Sequence, residues 1–121
     1  MSIWLAIAAL NGALAIAAGA FASHGLSTDA HALSLFELGA RYQMYHALAL
    51  GLTALTMKTG AGRCAWIAAW FFLAGIVLFC GSLYAMALAG LPTLRYFVPF
   101  GGAAFIAGWI ALVVTGLRLK S

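Results

Sequence analysis

The chain has 121 residues, of which 66% are hydrophobic and only 7% charged, and its mean hydropathy is +1.09. A water-soluble domain of this length leaves too much surface exposed to hide that much apolar side chain, so lipid is the solvent and the chain is one membrane-embedded domain, 1–121. Six Lys and Arg against two Asp and Glu give a net charge of +4. The basic residues stand singly at the edges of apolar runs, which is the pattern of topology signals and excludes a nucleic-acid patch.

Ile3 to Ala22 carries no charge, and its 20 residues are enough to cross a hydrocarbon core of about 30 Å. Ala20-Phe21-Ala22 resembles a signal-peptidase site, but no basic stretch precedes it, so the segment is expected to be retained as a helix. Asn11 is its polar residue at mid-depth, sharing a face with Ala8, Ala15, Ala18 and Ala22. Ala9, Ala13 and Ala17, and Ala15 with Gly19, repeat small residues every four positions, as closely packed membrane helices do.

Ser23 to Leu33 is a polar connection, with Gly25 a plausible stop for the first helix. Ser34 and Glu37 then fit a capping box, flanked by a Leu33–Leu38 staple, so a second helix is expected over 35–57. Glu37 is accounted for by that cap and by the helix dipole. Gly39, Tyr42, Gln43, His46, Leu50 and Thr53 share one face; Met44, Leu48, Leu52 and Leu55 share the opposite, lipid-facing one. Arg41 falls on the lipid side, where it would snorkel to headgroups.

A third helix is expected over 64–89, ended by Gly90 and Pro92. Gly75, Ser82 and Ala89 recur on one face, and Gly81, Ala85 and Ala89 form another small-residue ladder. Trp66, Trp70 and Tyr84 belong near the two interfaces, as aromatic belts do. Cys64 and Cys80 lie about 24 Å apart along this helix, which excludes a disulfide between them in one chain. Pro99 opens a fourth helix over 99–117, in which Gly101 and Gly102 permit a close neighbour. The expected fold is an all-α integral membrane four-helix bundle. Lys58, Arg63, Arg118 and Lys120 gather on one side, which places both termini in the cytoplasm.

Asn11-Gly12, Gly19 to Leu26, Ala40 to Leu50, Leu78 to Tyr84 and Pro99 to Trp109 form an ordered set of blocks over almost the whole chain. In them the sequence resembles the YgdD/YwdK-like family of small four-span membrane proteins of unknown function, which has a mitochondrial counterpart in eukaryotes. Ala22 stands where that family usually has Gly. The resemblance implies a multi-pass protein of the bacterial inner membrane and supplies no reaction and no catalytic residue.

The residues themselves offer little for catalysis. Ser82 and Cys80 have no base at helical spacing, and no glycine-rich loop follows a strand, so an enzyme is not expected. His24 and His46 invite a haem or metal reading, since helix bundles host bis-His sites. Neither has a second ionisable ligand, and there is no C-x-x-C-H motif, so no cofactor is expected. A small oligomeric transporter or channel is the stronger alternative. Yet helix 1 lacks the embedded carboxylate of a small multidrug exporter, and Gly39-Ala-Arg-Tyr42 departs in spacing from the fluoride-channel pattern. The reading that remains is a structural or accessory protein that packs as a homo-oligomer or docks on a larger membrane complex. Its candidate intramembrane polar node is Asn11, Gln43 and His46, level in depth if helices 1 and 2 are antiparallel. His24, Tyr42 and Ser82 are the polar residues expected toward the outer face.

Overall fold

The computed structural model describes residues 2–25, 29–60 and 62–119, and among these there are helices and turns but no strand. The long helices are α1 (Ile3–His24), α2 (Ala30–Met57), α3 (Arg63–Ala89) and α4 (Val98–Arg118), with a 3-10 turn at Pro92–Tyr96 before α4. Lys120 and residues 26–28 of the polar connection lie outside the described residues. Gly90, at φ +63°, stops α3 in the left-handed conformation that glycine adopts without a Cβ penalty, and its N–H closes on Met86 O.

Each helix runs antiparallel to the one before it. Ala8 of α1 lies against Gly51 of α2, and Phe21 against Phe36. Phe36 and Tyr42 of α2 meet Tyr84 and Phe79 of α3. Phe72 of α3 lies beneath Gly108 of α4, and Cys64 at the start of α3 meets Arg118 at the end of α4. One end of the molecule therefore carries Lys58, Arg63 and Arg118, and the other carries Asp29 and Arg95.

The region of Ile3–His24, all of α3 and the segment Pro92–Arg118 are long and apolar enough to cross a membrane; α2 is not among them. Its shortfall comes from Arg41, Tyr42, Gln43, Tyr45 and His46. Its ten buried residues are close to the nine of α3 and twice the five on each of α1 and α4. Of these polar side chains Gln43 and His46 are held among the other helices, while Arg41 and Tyr45 are exposed and Tyr42 is half-buried.

Close approach of α3 and α4 depends on glycine. A Cβ at Gly101 would collide with the backbone of Phe79, and one at Gly75 with the ring of Phe105. At Gly108 a Cβ would stand 2.7 Å from the ring of Phe72. Aromatic rings of one helix thus lie flat on bare backbone of the other, the small-residue device by which membrane helices gain dispersion contacts.

Several expectations are corrected. The second helix starts at Ala30, not Leu35, because Asp29 supplies the N-cap: its carboxylate accepts from His31 N at 3.2 Å. An aspartate combines a good cap acceptor with a charge favoured by the dipole, and Ala30 to Leu33 contains nothing to break a helix. Ser34 donates to His31 O at 2.9 Å inside the helix, so neither Ser34 and Glu37 nor the Leu33–Leu38 pair forms a cap. α1 continues to His24, which shortens the connection to residues 25–29.

The third helix is interrupted by a π-helical turn at Ile76–Cys80. A π turn inserts about one residue, which rotates everything after it by about 100° relative to an unbroken wheel. Of the expected Gly75–Ser82–Ala89 face, Gly75 and Ser82 are buried, while Ala89, the last residue of α3, is exposed. Gly81 is also exposed and meets nothing in the chain, as does Gly102. On α1 the ladder Ala9, Ala13, Ala17 points outward, while Ala8, Asn11, Ala15 and Ala22 are the buried face.

Candidate functional site: polar pairs between the helices

The antiparallel pairing of α1 and α2 brings Asn11 against Gln43, both buried. Gln43 Nε2 donates to Asn11 Oδ1 at 3.0 Å. Asn11 uses its own amide to donate to Ile7 O one turn back, at 2.9 Å, which fixes its orientation. From the opposite side the Tyr84 hydroxyl donates to Gln43 Oε1 at 2.7 Å. Gln43 is therefore the middle of a three-helix chain, Asn11–Gln43–Tyr84, with its donor spent on α1 and its acceptor on α3. An amide buried in hydrocarbon is costly until paired, so these bonds also fix the relative depth of the three helices.

His46 is on the same face as Gln43 but does not reach Asn11. It turns toward α4, where Trp109 Nε1 donates to its Nε2 at 3.1 Å. Its Nδ1 lies 2.8 Å from Tyr42 O. Indole N–H can only donate and a carbonyl can only accept, so the ring is the neutral Nδ1–H tautomer, donating to Tyr42 O and accepting from Trp109. The imidazole stacks on Phe105 with centroids 3.5 Å apart and planes 9° from parallel, and Phe72 and Tyr42 close its other sides. Both ring nitrogens are spent. A proton on Nε2 would face the indole donor, and a metal there would have to displace it.

The three-residue node expected from the sequence thus resolves into two separate pairings, Asn11 with Gln43 and His46 with Trp109. Of the residues expected toward the outer face, His24 is exposed in the last turn of α1, and Ser82 is buried on α3. Tyr42 is half-buried, stacked on Phe79 of the π turn at 4.8 Å. Tyr84, expected in an interfacial belt, instead joins the node, and Trp109 was not singled out at all. Trp109 is half-exposed, yet its indole N–H turns inward to His46. Among the described residues no three His, Cys, Asp or Glu side chains gather as a metal site requires. The groove between α1 and α2, lined by residues such as Leu5, Gly12, Leu48 and Leu52, is almost wholly apolar.

Comparison with known proteins agrees with this membrane reading. Residues 18–102 match a family described as "Protein of unknown function (DUF423)". A UPF0382 membrane protein of Staphylococcus aureus (strain bovine RF122 / ET3-1) is 40% identical over 120 residues, covering 98% of both chains. UPF0382 membrane protein YwdK of Bacillus subtilis (strain 168) is 38% identical over 122 residues, covering 98% of both. A UPF0382 membrane protein of Haemophilus influenzae is 39% identical over 120 residues, covering 98% of this chain and 96% of its own. No solved structure matches.

Proposed function

Because the chain belongs to the DUF423 family, whose relatives are UPF0382 membrane proteins of bacteria with no established activity, we propose that it is a non-enzymatic accessory protein. In this reading it is a multi-pass protein of the inner membrane, its four helices crossing the bilayer with both termini in the cytoplasm. It packs as a homo-oligomer or as a subunit of a larger membrane complex.

One observation carries this reading: five polar side chains between the helices pair with one another, while the buried Trp4 Nε1 is left without a partner among the described residues. Asn11, Gln43, Tyr84, His46 and Trp109 lock four helices in register and present no open donor set to a substrate. Lys58, Arg63 and Arg118 at one end support cytoplasmic termini, and the antiparallel packing of α2 supports reading it as the fourth crossing.

Affinity purification in mild detergent, coupled to flux assays in liposomes, tests the proposal. A stoichiometric protein companion or a defined homo-oligomer is expected, with no protein-dependent movement of fluoride or organic cations. Specific flux would establish a transporter or channel instead. Reporter fusions after residue 118 and within 58–63 should both report cytoplasm; a periplasmic C-terminus would overturn the orientation.

A further inference from the structure

The basic end of the molecule carries a second feature that the internal pairings do not use. Arg63, Trp66, Ile67, Trp70, Phe71 and Ala74 are spaced i, i+3, i+4, i+7, i+8 and i+11, so they form one stripe along the first half of α3. The last five line a shallow groove of about 460 Å³ with no polar lining. It runs about 12 Å down the helix from Trp66 to Ala74. Trp66 and Trp70 are 51% and 59% exposed, large for indoles on a helix whose opposite face is fully packed. They are not loose: Trp4 of α1, itself buried, meets both edge-to-face, with centroids 6.1 Å and 5.0 Å away. The groove is therefore preformed and braced from the neighbouring helix.

Its mouth is cationic. Arg63 stands exposed at the head of the stripe, with exposed Lys58 and Arg118 at the same end. No acidic side chain among the described residues lies there, since Asp29 and Glu37 are both in the opposite half of α2. Arg118 is directed to Cys64 Sγ at 3.5 Å, which leaves Arg63 as the cation in line with the groove. The opposite end differs: Arg95 lies over its neighbour Tyr96, 5.0 Å from the ring centroid.

We propose that this face of α3 binds an anionic phospholipid, its headgroup phosphate held by Arg63 and one acyl chain laid along Trp66, Ile67, Trp70, Phe71 and Ala74. A zwitterionic lipid could fill the apolar groove equally well, so the guanidinium supplies the selectivity and the indoles supply the fit. The site requires only that α3 stand in a bilayer and is independent of the accessory role.

The test reads tryptophan fluorescence of the full chain in phosphatidylcholine liposomes doped with brominated lipid, either phosphatidylglycerol or phosphatidylcholine, at equal mole fractions. Brominated phosphatidylglycerol should quench at roughly fivefold lower mole fraction, the worth of one basic residue at an anionic surface. Arg63→Gln, on an exposed side chain that leaves the fold intact, should erase that preference. Arg95→Gln at the other end should leave it, and Trp66→Phe with Trp70→Phe should remove most of the preferential quenching. High salt should reduce the preference without reducing total quenching. Equal quenching by the two lipids in the parent chain would overturn the proposal. So would a preference that survives Arg63→Gln, or one that Arg95→Gln abolishes equally, since that would be bulk charge attraction.

Discussion

The α1–α2 pair and the α3–α4 pair are held together by different means. Between α3 and α4, bare glycine backbone receives aromatic rings: Gly75 under Phe105, Gly108 under Phe72, and Gly101 against the backbone of Phe79. Between α1 and α2, Ala8 faces Gly51 and Phe21 meets Phe36, with a groove left along one side and one polar bond, Gln43 to Asn11, through the middle. In lipid there is no hydrophobic drive between helices, so association rests on dispersion at close range and on hydrogen bonds. The first pair uses mainly the former. The second, whose surfaces fit less closely, leans on the latter.

That contrast is best broken at Gly101. Gly101→Val should cost about 1–3 kcal/mol or more, since the obstructing atoms are the Phe79 backbone and cannot rotate away; a lowered unfolding midpoint in detergent would register it. Gly108→Ala should cost less, because the ring of Phe72 can shift. On the other side, Gln43→Leu removes both bonds of the node and strands the Tyr84 hydroxyl, for a loss of about 1–2 kcal/mol seen in the same unfolding assay. Trp109→Phe removes one such bond and should cost about 0.6 kcal/mol, the average for membrane hydrogen bonds, and Asn11→Ala, which removes the bonds to Gln43 and Ile7 O, somewhat more. Smallest of all, Ala13→Leu on the outward face of α1 should change stability by less than about 0.5 kcal/mol. If Ala13→Leu instead dissociated an oligomer on a sizing column, the outward ladder would be an interface between copies.

How far the sequence revealed this can be judged element by element. The apolar runs announced α1, α3 and α4, because a bilayer demands a length that composition displays directly. Counting residues in an antiparallel pair set Asn11 level with His46, one turn from its actual partner Gln43, because α2 starts earlier than its expected cap. The start of α2 was misplaced because the Ser34–Glu37 pattern fits a capping box, whereas Asp29 caps the helix four residues before Leu33. The π turn was invisible: Ile76 to Cys80 carries no Pro and no polar residue to mark it. Missing it left the expected faces of residues 81–89 out of phase with the first half of the helix. His46 could be read as buried, but whether α1 or α4 supplied its partner depended on rotations that a one-dimensional pattern does not carry.

The central claim is that the intramembrane polar groups act on one another rather than on a ligand, and a double-mutant cycle tests it most directly. Gln43→Leu, Tyr84→Phe and the double variant would be unfolded alongside the parent chain in a lipid-detergent mixture. The account predicts a favourable coupling of about 0.6 kcal/mol, rising to as much as about 1.7 kcal/mol for a bond this short. Coupling indistinguishable from zero, with both single variants as stable as the parent, would contradict it and return Gln43 and Tyr84 to service as ligand-binding groups.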